Sequence, residues 1–256
     1  MSIVIKSTRD LQAMRDAAKI NVEALQAVSE AVKPGVSTAA LDKIAHDIIT
    51  GYGAIPAFLG YPPGSKNPFP ATITASVNEE LVHGIPSQDR LLHEGEIVSI
   101  DCGTVHHGFV ADSALTVPVG QIGEEARKLL EVTDQALTVG IDMCVIGNRF
   151  GDVSAAIQQF VEDKGYNVVR EYGGHGVGRQ MHEDPHIPNW GKPGRGQRLR
   201  PGMTFALEPM VMIGGPQVKT LKDNWTVVTT DGKLCAHYEH TVAVTDNGPE
   251  ILTAWN

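Results

Sequence analysis

Ile97-Val98-Ser99-Ile100-Asp101 and Phe109-Val110-Ala111-Asp112, joined through the polar turn His106-His107-Gly108, read as the two strands of a β-hairpin. Each strand is apolar up to its carboxylate. If the hairpin is symmetric about its turn, Asp101 and Asp112 face each other with Cβ atoms about 4.5–5.5 Å apart. Carboxylates that close repel unless a proton or a cation sits between them. The alternative is a solvated Asp at a strand end and a second in a loop. The hairpin alone leaves both open.

Helix pairs flank this hairpin on either side. Ser7-Thr-Arg-Asp10 has the pattern of a capped helix start. Leu11, Met14, Ala18, Val22, Leu25, Val28 and Val32 then recur at spacings of three and four, which predicts one buried helix face ending at Lys33-Pro34-Gly35. A second helix starts near Ser37, buries Leu41, Ile44 and Ile48, and ends around Gly51–Gly53. The unit recurs 112 positions later: Ala24-Leu25 matches Ala136-Leu137, Gly35 matches Gly147, and Gly53 matches Gly165. Leu41, Ile44, Ile48 and Ile49 fall on Val153, Ala156, Phe160 and Val161. Either the chain holds two unrelated amphipathic helix pairs, or an α+β half is duplicated and closes over a shared central site.

Further strands are expected at Thr72–Val77, Glu96–Cys102, Phe109–Val117, Val168–Glu171, Thr204–Met212, Trp225–Thr229 and Tyr238–Val244. Tyr61–Pro70 and Pro185–Pro201 read as irregular, proline-rich loops. No linker divides the chain, so the expectation is an α+β fold in one domain, 1–256, with halves of about 1–118 and 119–256.

The 256 residues suffice for a large core without disulfide staples. Lys+Arg 21 against Asp+Glu 30 gives a net charge of −9, and aromatics are 5%. Both argue against a nucleic-acid or anionic-membrane surface. No run approaches the roughly 18 apolar residues of a membrane span, and charge arrives too early at the N-terminus for a signal peptide. Cys102, Cys144 and Cys235 form no CxxC pair, which favours a reducing, cytoplasmic setting.

Three more chemical signals stand out. Tyr172-Gly-Gly-His175-Gly-Val-Gly packs a histidine among glycines, a setting that suits a side chain aimed into a site. Glu208 follows the strand Thr204-Phe-Ala-Leu and precedes Pro209. His237, Glu239 and Thr241 share one face of another strand by alternation. Asp101, Asp112, His175, Glu208 and Glu239 together make a divalent-metal set, in which four negative ligands balance two ions about 3.5–4 Å apart. The absence of a thiolate favours Mn²⁺, Fe²⁺, Co²⁺ or catalytic Zn²⁺. His182-Glu183-Asp184-Pro185-His186 matches HExxH in letters only, because that motif needs a helix and Pro185 breaks one.

In this order, these residues resemble the methionine aminopeptidases of the short bacterial type. The resemblance covers nearly the whole chain and is most specific over Tyr172–Trp190, with Val82-His83-Gly84-Ile85-Pro86, Pro201–Met210 and Tyr238-Glu239-His240-Thr241 also fitting. It implies a pita-bread fold with two pseudo-symmetric halves around a dinuclear metal centre. Carboxylates at the positions of Asp112 and Glu239 would bridge the two ions, Asp101 would chelate one, and His175 and Glu208 would complete the other.

The activity implied is removal of initiator methionine from nascent polypeptides when the second residue is small. A metal-bridged hydroxide would attack the scissile carbonyl, Glu208 would serve as general base, His182 would donate to the carbonyl oxygen and His83 would contact the substrate amide. The pocket walls implied are Phe58, Tyr61, Thr74, Met181 and Trp225. Many members carry Cys at the position of Thr74, an aromatic at Met181 and Tyr at Phe58, and the connection Tyr61–Thr74 is longer than usual. A cytoplasmic monomer with transient ribosome association is implied, acting on neither membrane nor specific nucleic acid. A proline-specific peptidase of the same fold is the enzymatic alternative, though such relatives usually carry an additional N-terminal domain. A non-catalytic relative would typically have lost ligands, and all five are present here.

Overall fold

A computed structural model of the chain describes residues 3–255; residues 1, 2 and 256 of the expected 1–256 domain lie outside the described ones. The first helix, α1 (Thr8–Ala31), starts where its cap predicts. The Ser7 hydroxyl accepts the Asp10 amide N–H while the Asp10 carboxylate accepts the Ser7 N–H. In α2 (Thr38–Gly51) the Ser37 hydroxyl accepts the Ala40 N–H at 3.2 Å. Then follow β1 (Ile55–Pro56), β2 (Ile73–Val77), β3 (Glu80–Val82), β4 (Ile97–His106) and β5 (Phe109–Pro118). The second helix pair is α3 (Glu124–Asp142) and α4 (Phe150–Asp163). Next come β6 (Asn167–Val168), β7 (Gly173–Gly176), β8 (Glu183–Pro188), β9 (Thr204–Leu207) and β10 (Met210–Met212). The last strands are β11 (Val218–Thr220), β12 (Val227–Thr229), β13 (Cys235–His237), β14 (Glu239–Thr245) and β15 (Gly248–Ile251).

The matched glycines punctuate both helix pairs in the same conformation. Gly35 and Gly147 have φ of +87° and +100°, and Gly53 and Gly165 have +66° and +83°. Such left-handed stops strain any residue with a Cβ.

Among the described residues, the principal sheet runs β1-β4-β5-β14-β9-β7-β8, with β2 added on β4 and β15 on β14. Its ladders are antiparallel. The helices cover one face. Leu25, Leu41 and Ile49 pack with Val98, Ile100 and Cys102 in one core cluster. Leu129 and Ile157 pack with Phe205, Leu207 and Val242 in another. Ser99 and Asp101 alternate with the first strand's apolar residues and so point to the opposite face.

Four sequence expectations need correction. The hairpin turns on two residues, His107 (φ +50°) and Gly108 (φ +75°), the left-handed pair of a type I′ turn. The register is therefore Asp101↔Ala114 and Gly103↔Asp112, so the two carboxylates are diagonal neighbours on one face. In α2, Ala45 and Ile49 are fully buried while Ile44 and Ile48 are half-buried on the flank, because this helix packs against α1 and β2 together. The expected strand Thr204–Met212 breaks into β9 and β10 at Glu208-Pro209, where proline has no N–H for a ladder. In the expected strand Val168–Glu171 only Val168 is retained, in β6.

Candidate active site

Strand register gathers the predicted residues into two adjacent rows on the uncovered face. Thr74 pairs with Asp101, Asp101 with Ala114, and Ala114 with Glu239. Glu208 lies one residue past Leu207, which pairs with His240, and so falls opposite Glu239. In the second row Thr241 pairs with Ala206, and Ala206 with His175. Asp112 joins this row through Thr241, whose hydroxyl accepts the Asp112 N–H at 2.9 Å and donates to the Asp112 carbonyl at 2.7 Å. Side chains from six strands or strand ends thus converge although 138 positions separate Asp101 from Glu239.

The cluster is built for cations. One ligand atom each from Asp112, His175 and Glu239 lies within 4.8 Å of the others. His175 Nε2 is 3.7 Å from Asp112 Oδ2 and 3.6 Å from Glu208 Oε1. Asp101 Oδ1, Asp112 Oδ1 and Glu239 Oε1 are buried with no hydrogen-bond partner, an arrangement that costs heavily unless something positive fills it. Burial pushes the Asp101 carboxyl up to about 7. Burial first, and neighbouring carboxylates second, raise Asp112, Glu208 and Glu239 as well. Burial lowers His175 to about 3, so its imidazole is neutral. Nδ1 lies 3.0 Å from the Gly176 carbonyl and donates to it, which leaves the Nε2 lone pair facing the carboxylates. Four carboxylates and an available imidazole lone pair fit divalent ions.

A cavity of about 320 Å³ opens beside this cluster, and every residue singled out in the sequence as ligand, catalyst or pocket wall lines it. Phe58, Met181 and Thr74 are all buried. His182 sits 4.2 Å from His175, ring to ring, and its Nδ1 lies 2.7 Å from the Tyr61 hydroxyl. Burial lowers its pKa. His83, left-handed at φ +61°, meets Trp225 and Tyr172 edge to face. Burial lowers its imidazole to about 4. The HExxH segment is strand β8, not helix, and Glu183 is consumed in a buried ion pair with Lys6 at 2.5 Å.

The profile of metallopeptidase family M24 matches residues 12–246. The chain belongs to metallopeptidase family M24. It is 53% identical over 251 residues to a methionine aminopeptidase of Clostridium acetobutylicum, spanning 98% of each chain. It is 51% identical to methionine aminopeptidase 1 of Bacillus subtilis, over 98% of this chain and 99% of the relative. The crystal structure of a methionine aminopeptidase from Thermotoga maritima superposes with a TM-score of 0.95 at 44% identity, over 99% of this chain and 100% of that one. A prolidase from Pyrococcus furiosus shares the fold at a TM-score of 0.79 and 20% identity, covering 99% of this chain but 66% of that one. The architecture is the pita-bread fold of these proteins, and the chain is a divalent-metal-dependent peptidase.

In this M24 peptidase the cavity also holds residues to which sequence reasoning gave no role. Phe69, inside the proline-rich loop, is buried and packs edge to face on Trp225 at 5.2 Å. Its flanking prolines marked a loop, and a single aromatic in a loop has no periodicity to give it away. Tyr172, Met210, His186 and His237 line the cavity too. Alternation placed His237 on the face of Glu239; in the structure it ends β13 while Glu239 opens β14 of another sheet, and its Nε2 still lies 3.7 Å from Glu239 Oε2.

Proposed function

We propose that this peptidase removes the N-terminal methionine from peptides and nascent proteins whose second residue is small. The observation that carries this reading is the cavity itself, in which apolar walls adjoin a carboxylate–imidazole cluster. Phe58, Phe69, Met181 and Trp225 suit an unbranched thioether chain, and the mixed wall of Thr74 and Tyr61 closes the pocket. Asp101, Asp112, His175, Glu208 and Glu239 would hold two divalent ions. When bound, the ions supply Lewis acidity and make water a nucleophile at neutral pH.

The chain's own residues do the rest. Glu208 takes the proton of the attacking water and passes it to the leaving amine. Burial favours neutral His182, and with the Tyr61 hydroxyl, 2.7 Å from Nδ1, as donor, its proton would sit on Nε2, ready to donate to the scissile carbonyl oxygen as charge develops. His83, also neutral, accepts from the amide N–H of the substrate. The chain acts as one domain whose halves, about 1–118 and 119–256, meet at the site. It works as a cytoplasmic monomer that visits the ribosome transiently.

Cleavage of a Met-Ala, Met-Val, norleucine-Ala, Leu-Ala and Xaa-Pro panel tests the reading. Met-Ala is cleaved best and Xaa-Pro is untouched. Norleucine is partly accepted, because one such change in an apolar pocket discriminates by only about 1–3 kcal/mol and Met181 is a deformable wall. Preferential cleavage of Xaa-Pro would overturn the assignment. Anaerobic titration of the apoprotein with Fe²⁺, Mn²⁺, Co²⁺ and Zn²⁺ identifies the working ion.

A further inference from the structure

His237 ends strand β13 with its backbone clamped. The Thr116 hydroxyl accepts the His237 N–H at 3.0 Å and donates to the His237 carbonyl at 2.9 Å. Ser99 Oγ lies 2.9 Å from the same hydroxyl oxygen and donates to it. The imidazole therefore cannot swing away with its strand. It is 2% exposed and lines the catalytic cavity, yet its Nε2 is buried without a hydrogen-bond partner. Two carboxylate oxygens stand equally far from that nitrogen, Glu208 Oε2 and Glu239 Oε2, each at 3.7 Å.

The two oxygens of Glu208 face two different imidazoles. Oε1 lies 3.6 Å from His175 Nε2, and Oε2 lies 3.7 Å from His237 Nε2. Its backbone is pinned separately, with the Asn189 side-chain N–H donating to the Glu208 carbonyl at 3.1 Å. A carboxylate fixed at its backbone can still rotate its plane. A buried imidazole N–H without a partner is left with its desolvation uncompensated, so it is expected to find an acceptor once the cluster is neutralised.

We propose that His237 is a positioning residue: its Nε2–H donates to Oε2 of Glu208 and fixes the carboxylate plane, leaving Oε1 turned to His175 and the site's interior. His237 touches neither substrate nor reacting atom in this role. It acts through the general base, as outer partners orient the ligands of metal sites. The inference rests on the proposed aminopeptidase reading.

Three proteins test it: the parent, His237→Ala and His237→Gln, the last keeping an N–H donor of similar reach. Each is stripped and titrated with Co²⁺ alone, followed by calorimetry and by the visible Co²⁺ spectrum, and each is assayed on Met-Ala-Ser. His237→Ala is expected to lower kcat or Co²⁺ affinity about 10- to 100-fold, with KM changed less than about 3-fold, and to alter the Co²⁺ bands. His237→Gln is expected to recover most of the loss and the parental spectrum. A His237→Ala protein with parental spectrum, affinity and kcat overturns the proposal. So does a folded His237→Gln protein as impaired as the alanine variant, since a lost imidazole volume would then be the cause. A parent that binds Co²⁺ but leaves Met-Ala-Ser intact refutes the aminopeptidase reading, and the Co²⁺ spectra and affinities of the variants still decide the role of His237.

Discussion

Glu208 has a backbone held by Asn189, a proline after it, and an imidazole at each carboxylate oxygen. Glutamine there keeps the shape and one carbonyl ligand but cannot take a proton. Glu208→Gln is therefore expected to lose at least about 100-fold in kcat even with metal in excess; full recovery at saturating metal would leave Glu208 a ligand only. The thiols give the opposite expectation. All three cysteines are free and buried, and burial pushes each thiol up, away from the reactive thiolate. Cys102 follows Asp101 but packs among the helix-side core residues, while Thr74 faces the cavity. A thiol reagent in native buffer should leave Met-Ala cleavage intact. Rapid inactivation prevented by a bound substrate analogue would place a cysteine in the pocket.

Among the elements, the loop between Tyr61 and Pro70 shapes the pocket most directly. The Asn67 side-chain N–H donates to the Asp223 carbonyl at 3.3 Å. The Asp223 carboxylate in turn accepts the N–H groups of Trp225 and Thr226. This clasp holds Phe69 against Trp225. Edge-to-face aromatic pairs contribute about 0.5–1.5 kcal/mol beyond burial, so Phe69→Ala should raise KM for Met-Ala about 3- to 10-fold with kcat little changed. An unchanged KM would show that the loop is only a cover. Strand β7 was illegible in sequence for a physical reason. A Cβ on Gly174 or Gly176 would collide with the carbonyl oxygens of Ala206 and Asp184, so close backbone packing requires glycine where a strand pattern would show β-branched residues.

Across the whole molecule, the carboxylate cluster opposes folding unless it is neutralised. Asp101, Asp112, Glu208 and Glu239 have carboxyls raised in the folded chain, Asp101 to about 7. At these four groups the metal-free folded state thus binds more protons than the unfolded one above the ordinary carboxylate range, a contribution that lowers stability as pH rises through their folded values. The buried neutral imidazoles of His83 and His175 act in the opposite sense below the ordinary histidine range, so the Tm of stripped protein should drop above about pH 7, and saturating Mn²⁺ should abolish most of the drop, since a ligand of the folded state stabilises it. A stripped protein whose Tm rises with pH over this range would contradict the raised values. No helix among the described residues is long and apolar enough to cross a membrane.

The sequence by itself determined what neighbours in the chain can enforce. Ser7 and Asp10 cap α1, Ser37 caps α2, left-handed glycines stop both helix pairs, and apolar alternation marks β4, β5 and β14. The five candidate ligands stood out because four are carboxylates in or at the end of apolar strands and the fifth is a lone imidazole among glycines, polar groups with no local reason to be there. Only the tertiary structure decided how these pieces meet. The left-handed His107-Gly108 pair shifted the hairpin register and made Asp101 and Asp112 diagonal neighbours. The bond from Asp112 to Thr241, across 129 residues, set the second row of the site. The clasp that carries Phe69 to Trp225 and the strand end that aims His237 at Glu208 arise from contacts between distant segments, whose pairing depends on which faces bury together and which side chains find partners.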